Sequence, residues 1–338
     1  MAVTETAPAR RAPWTLWLRL VGSVVLLAYL VTKIDFANLL PEHPHLSTLV
    51  FFALGILSAG IGIVLSAWRW QRVLTVFDTH VPLRTLVSHY FAGQFVGNVL
   101  PSTIGGDVLR VSRATTTTGS GQVSFASVVL ERLTGFVALP LIVFVGFLLR
   151  PSLVDVDHAW IALAIAGATL LALVVILVLA AHPRLAGRFR DHDNWMRFIG
   201  AVHVGVDRLR RQPRQAGGVL GAAVVYQLST VAVVYFATRT LGVSVPTAAV
   251  VAFAPAVAMA QVIPISLGGL GVREGMLVLF LAPLGVSNGR AVAIGLLWYA
   301  MMLLVSFLGA PAFAVGHRHR RGNADRPPTS RPGSDSGT

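Results

Sequence analysis

A thirteen-residue segment occurs twice in this chain, and each copy interrupts an apolar run with Pro and a Gly pair. Asn98-Val99-Leu100-Pro101-Ser102-Thr103-Ile104-Gly105-Gly106-Asp107-Val108-Leu109-Arg110 aligns without a gap on Gln261-Val262-Ile263-Pro264-Ile265-Ser266-Leu267-Gly268-Gly269-Leu270-Gly271-Val272-Arg273, an offset of 163 residues. The five identities are a Val, the Pro, both Gly and the Arg. Pro lacks a backbone donor and clashes with the preceding turn, so Pro101 and Pro264 act as helix breakers. Interrupted hydrophobic segments at corresponding places in two halves of a chain point to the binding site of a secondary transporter.

The rest of the sequence supplies the solvent for such a fold. Apolar residues make up 55% and charged residues 12%, the latter about half of the ~25% usual in soluble domains. Long apolar runs cover Leu16 to Val31, Thr48 to Ala67, Phe136 to Leu149, Trp160 to Ala181 and Val219 to Ala237, several of them near or above the ~18 residues that mark a spanning helix. The first follows Arg10 and Arg11 as a signal peptide would, but it lacks a small-residue cleavage site and another span follows at once, so it reads as a retained helix. The chain has no Cys, which excludes disulfides and thiolate metal sites.

A net charge of +13 would point to nucleic acid in a soluble protein. Here the Arg residues sit in alternate loops and read as orientation signals, so nucleic acid is not expected as a partner. Arg10, Arg11 and Arg19 place the N-terminus in the cytoplasm; the loop around Asp35 and Glu42 lies outside; Arg69, Arg72 and Arg84 are inside, with Trp68 and Trp70 in the headgroup layer. Leu86 to Leu100 is too short to cross comfortably and reads as re-entrant. Val123 to Leu149 leads outward to Asp155 and Asp157, and Trp160 to Ala181 returns to a loop with eight Arg between Arg184 and Arg214. Val219 to Ala237 crosses again, Val250 to Ile263 dips in and breaks at Pro264, Gly275 to Leu284 comes back, and Ala291 to Val315 ends at a basic cytoplasmic cluster. The expectation is an all-α, polytopic integral membrane protein with about six full spans and two re-entrant segments, eight or so hydrophobic helices in all. Three crossings separate the motif copies, so the second enters from the opposite face, as in an inverted-topology repeat. The boundaries are a cytoplasmic segment 1–13, a transmembrane domain 14–316 with halves of about 14–149 and 160–315 and a basic cytoplasmic loop 182–216, and a disordered cytoplasmic tail 317–338.

Six charged residues fall at membrane depth: Asp107, Arg110, Glu131, Arg132, Arg273 and Glu274. Each costs roughly 2.5 to 3.5 kcal/mol there even on lenient scales, so such groups pair with one another or face a cavity. Three acids balance three Arg. Gly105-Gly106 and Gly268-Gly269 are expected to form turns whose free N–H groups make anion nests beside a helix N-terminus, and Arg110 and Arg273 add forks suited to phosphate. Plainer readings compete: the Gly pairs serve close helix packing, and Glu131-Arg132 is a structural ion pair. Asp155-x-Asp157 and Asp191-x-Asp193 resemble metal-nucleotide-sugar motifs but read as solvated turns, and His43-x-His45 and His317-x-His319 are too isolated for a metal site. Neither metal nor cofactor is expected. The basic stretch Arg184 to Arg214 reads either as an interfacial helix on anionic lipid or as a linker.

These anchors, Leu100-Pro101 through Gly105-Gly106-Asp107 and Arg110, then Glu131-Arg132, then Pro264 with Gly268 through Glu274, resemble the transmembrane, flippase-like region of the lysylphosphatidylglycerol synthase (multiple peptide resistance factor) family over about residues 14 to 316. The resemblance implies a polytopic bacterial or archaeal plasma-membrane protein associated with lipid translocation. The full synthase carries a soluble aminoacyl-transfer domain after its membrane part, and this chain has no such segment, so lipid aminoacylation is not implied. The reading is a non-enzymatic transporter of a membrane lipid with a phosphate headgroup, an anionic phospholipid or a polyprenyl phosphate. In it Arg110 and Arg273 hold the phosphate, and Asp107, Glu131 and Glu274 balance the Arg or engage an amine. No Gly-x-x-x-x-Gly-Lys-Ser/Thr motif is present to supply nucleotide energy. Two alternatives stay open: a membrane enzyme or subunit of lipid-linked glycan assembly, and a non-catalytic scaffold for a separate synthase. A homo-oligomer is compatible with all three.

Overall fold

The computed structural model describes residues 46–99, 105–181, 196–262 and 268–313. The segment Leu16 to Val31, the breakers Pro101 and Pro264, the acid pair Asp191 and Asp193, both His pairs and the C-terminal tail lie outside the described residues. Those described form α-helices and two short 3-10 turns, with no strand among them.

Five helices are long and apolar enough to cross a membrane: α1 (Leu46–Val76), α4 (Gly121–Leu149), α5 (Ala159–Ala181), α7 (Pro213–Thr240) and α10 (Asn288–Phe307). Shorter ones lie between them: α2 (Leu83–Val99), α3 (Gly105–Thr118), α6 (Met196–Arg211), α8 (Thr247–Ala260) and α9 (Val272–Leu281). Five of the six runs expected to cross coincide with these long helices, and the sixth, Leu16 to Val31, lies outside the described residues; α2 and α8 are the two short helices leading into the motif copies.

Side-chain size decides which face goes inward. On α1, Leu49, Val50, Leu57, Ile61 and Val64 are exposed, while Gly55, Ala59, Gly62 and Ser66 are buried. The first set offers an apolar face to lipid, and the second lets α7 come close, as small residues do between helices in a membrane. Among the described residues the α1–α7 seam is the most extensive helix contact. On α5, Leu171, Val174, Val175, Val178 and Leu179 face outward, whereas α4 is mostly enclosed. Pro140 in α4 and Pro255 in α8 sit inside helices, which neighbouring helices make tolerable.

The halves pack reciprocally. The order long helix, short helix, short helix, long helix runs through α1 to α4 and again through α7 to α10. Gly146 of α4 abuts the backbone of Ala252 in α8, and Gly309, just past α10, abuts the backbone of Phe91 in α2. Gly146 and Gly309 are 163 residues apart, the offset of the repeated motif.

Two boundaries differ from expectation. The apolar run of α1 ends at Ala67, but the helix continues nine residues to Val76, because Trp70, Val73, Leu74 and Val76 of the extension are themselves fully buried. In the basic stretch 182–216, residues 196–211 form the amphipathic helix α6 rather than a linker. Its Val202 is fully buried, Gly205 touches Leu130, and Arg208 donates to the Val76 carbonyl at 3.1 Å and to the Asp78 carboxylate at 2.8 Å. The apolar face of α6 is thus spent on α4 and α5 instead of lying on lipid alone.

Candidate functional site

The two motif copies meet. A cavity of about 350 Å³ is lined by Asn98, Arg110, Glu131 and Arg132 from the first half and by Gln261, Gly268 and Arg273 from the second. Tyr90 and Gln94 of α2, Tyr226, Gln227 and Thr230 of α7, and Trp298 and Tyr299 of α10 complete its polar and aromatic wall.

Arg69 also lines this cavity, which corrects its reading as a loop signal. Because α1 outruns its apolar stretch, Arg69 is carried into the bundle and is 4% exposed. Its neighbour Trp70, expected among headgroups, is fully buried and donates from Nε1 to Ser127 Oγ at 3.0 Å.

Glu131 is the hub. Fully enclosed on α4, it accepts from Arg69 Nε at 3.1 Å and pairs with Arg69 Nη2 through Oε1. It accepts from Arg110 Nη2 at 2.6 Å through Oε2 and from the Tyr90 hydroxyl at 3.2 Å. The Glu131-Arg132 pair proposed from sequence is not formed. Both Glu131 oxygens are already taken by Arg69, Tyr90 and Arg110, and Arg132 turns to Asp107 instead. Asp107 also accepts from Arg110 Nη1 at 3.3 Å. Glu274 accepts from Arg273 Nε at 3.0 Å through Oε1 and from the Gly271 backbone N–H at 2.6 Å through Oε2, closing the start of α9.

The Gly pairs differ from each other, which corrects the expectation of two equal nests. Gly105 and Gly106 are already in the first turn of α3, and Gly106 lies against the Gly93 carbonyl of α2. Lack of a side chain there lets two helices touch, the plainer of the two readings for that pair. Gly268 and Gly269 have φ of 60° and 77°, a left-handed turn that glycine adopts freely, and Gly268 faces the cavity.

Each buried Arg stacks on aromatic rings. The Arg110 guanidinium stands 4.0 Å from the Tyr90 centroid and 4.4 Å from that of Trp70, Arg69 is 4.7 Å from Tyr226, and Arg273 is 4.9 Å from Tyr299 and 5.6 Å from Trp298. Such faces attract cations and hold the planar forks in place.

With Arg69 added, the expected balance of charge becomes an excess: Arg69, Arg110, Arg132 and Arg273 against Asp107, Glu131 and Glu274, one positive charge over. Arg69 Nη1 and Arg110 Nε are buried with no hydrogen-bond partner. A desolvated cationic excess with open donors is chemically suited to an anion.

The model of the lysylphosphatidylglycerol synthase transmembrane region matches residues 16–309. The chain belongs to that family. It is therefore a membrane protein, and its long apolar helices are membrane helices. A UPF0104 membrane protein of Pyrococcus horikoshii is 24% identical, over 73% of this chain and 81% of that one.

Asp155 lies in the 3-10 turn Pro151–Asp155, Asp157 follows it, both are exposed, and neither lines the cavity. Sequence reading missed Arg69, Tyr90, Gln94, Tyr226 and Gln227. Tyr90, Gln94 and Asn98 recur every four residues on α2, the spacing of one helical face, and that stripe was the available signal.

Proposed function

We propose that this protein moves an anionic lipid across the cytoplasmic membrane by binding its phosphate headgroup between the two halves while the acyl or prenyl tails stay in the bilayer. The observation that carries this reading is the single cavity walled by the Arg of both motif copies, with one uncompensated positive charge. A phosphate entering it competes with Glu131 for Arg69 and Arg110 and finds Arg273 on the opposite wall. Arg forks suit its paired oxygens, and the hydroxyl and amide groups of Tyr90, Asn98, Gln227 and Gln261 replace lost hydration.

Reciprocal packing supports an inverted repeat as the mechanical basis. The matched helix order, the equal spacing of Gly146 and Gly309 and their crossed contacts fit two halves related by a pseudo-two-fold axis in the membrane plane. Rocking one half against the other then exposes a central site to each side in turn. The basic ends of the helices orient both termini to the cytoplasm. No nucleotide motif is present, so movement is facilitated or ion-coupled.

Reconstitution into liposomes holding trace fluorescent lipids tests the proposal. Exposure of inner-leaflet probe to an impermeant quencher, at a rate that scales with protein, is the expected result. Chemical conversion of a lipid-linked phosphate without leaflet exchange would favour an enzyme of lipid-linked glycan assembly, and inertness unless a partner is added would favour a scaffold.

A further inference from the structure

Arg113 stands one turn beyond Arg110 on α3 but does not line the cavity. It crosses instead to the other half of the chain, where Nη1 donates to the Ala312 carbonyl at 2.9 Å and Nη2 to the Phe313 carbonyl at 3.0 Å. Both acceptors sit in the helical segment 309–313 that follows α10. A carbonyl has a second lone pair for such a donor even inside a helix, and a planar fork reaches two neighbouring carbonyls at once.

The apolar side of this contact comes from α2. The Phe95 ring lies 6.2 Å from that of Phe307 and 6.0 Å from that of Phe313, and Gly309 abuts the Phe91 backbone. The first-half pair α2 and α3 thus grips the end of α10 with one charged fork and one aromatic cluster. The reciprocal contact, between α8 of the second half and the end of α4, repeats the glycine and the rings: Gly146 abuts Ala252, and Phe147 lies 6.0 Å from Phe253. The place for a fork is different. The residue 163 positions after Arg113 is Met276, a partly buried side chain packed on the apolar core, with no N–H to give.

Building on the transport reading, we infer that Arg113 is a latch that holds one face of the transporter shut by tying α2 and α3 to the end of α10, and that the opposite face has no such latch. Rocking of the halves parts the α10 contact on one side and the α4 contact on the other. Charge-assisted hydrogen bonds are about twice as strong as neutral ones, so the two faces open at unequal cost. The same short helix carries Arg110, which a phosphate draws away from Glu131, and this joins headgroup binding in the cavity to release of the fork one turn further on.

The chain has no Cys, so introduced thiols report without background. In membrane vesicles of both orientations, Thr230→Cys in the cavity wall is labelled with a charged, impermeant thiol reagent, and His80→Cys in the exposed turn between α1 and α2 marks the latched face. Adding Arg113→Met should raise labelling from the marked face about tenfold, the effect of one charge-assisted hydrogen bond, without raising it from the other. Arg113→Lys, which still reaches one carbonyl, should fall between. A merely structural Arg would loosen both faces together, so an equal rise from both, or none, would overturn the latch. A second measurement keeps Arg113 in place: Phe95→Cys/Phe307→Cys, bridged in liposomes by a cleavable bifunctional thiol reagent, should move fluorescent phosphatidylglycerol at least about tenfold more slowly than the same protein after cleavage. Undiminished movement in the bridged protein would overturn the latch and leave transport standing. No lipid movement in the wild type would overturn the transport reading beneath it, whatever the labelling shows.

Discussion

Glu131 and its partners show how a few charges at membrane depth define a site. A buried pair that loses one member leaves the other uncompensated, at roughly 3 to 5 kcal/mol. Glu131 answers two such Arg, so Glu131→Gln should lower thermal stability in detergent by about that amount, and adding Arg69→Met should restore part of it. Equal melting temperatures for Glu131→Gln and wild type would mean that the hub contributes nothing. The acid was legible from sequence; Arg69 was not. Charge counts along a hydropathy profile place an Arg at the end of an apolar run in a loop, and nothing local distinguishes that from an Arg carried inward by a longer helix. Trp70 misled for a related reason: an indole suits the headgroup layer, but it suits equally a buried position where Ser127 receives its N–H.

At the level of helices, glycine does separate jobs that sequence alone presents as one. Gly106, Gly146 and Gly309 permit backbones to touch, while Gly268 and Gly269 permit a left-handed turn. A Cβ at Gly146 would stand 2.5 Å from the Ala252 nitrogen, too close without moving a helix. Gly146→Val and Gly309→Val should therefore both destabilise, by about 1 to 3 kcal/mol or more, and to similar extents if the halves are equivalent. Gly167 on lipid-facing α5 has open space around it, and Gly167→Val should be neutral. Thermal unfolding of the three variants checks this, and a Gly146→Val protein as stable as the Gly167→Val protein would refute the contact. The long helices were readable because apolar length is a strong signal in a bilayer. The docking of α6 was not, since its amphipathic pattern fits a lipid surface as well as it fits α4 and α5.

Across the whole molecule, two sequence copies converge on one cavity. The repeat was visible in the chain and predicted that Arg110 and Arg273 belong together, but their convergence on one 350 Å³ cavity depends on packing of α1 on α7 and of α4 on α8 that no local pattern encodes. The net positive charge was likewise out of reach until Arg69 joined the set. The most direct measurement is lipid movement in proteoliposomes by Arg110→Lys, Arg273→Lys and the double variant, each checked for normal folding in detergent. Lys keeps the charge but not the planar fork, so each single variant should slow an anionic phospholipid at least about tenfold. The double should fall short of the product of the two effects, because both Arg serve one phosphate and neighbours on one ligand are not additive. Wild-type rates in either single variant, or two effects that multiply in full, would contradict a shared site.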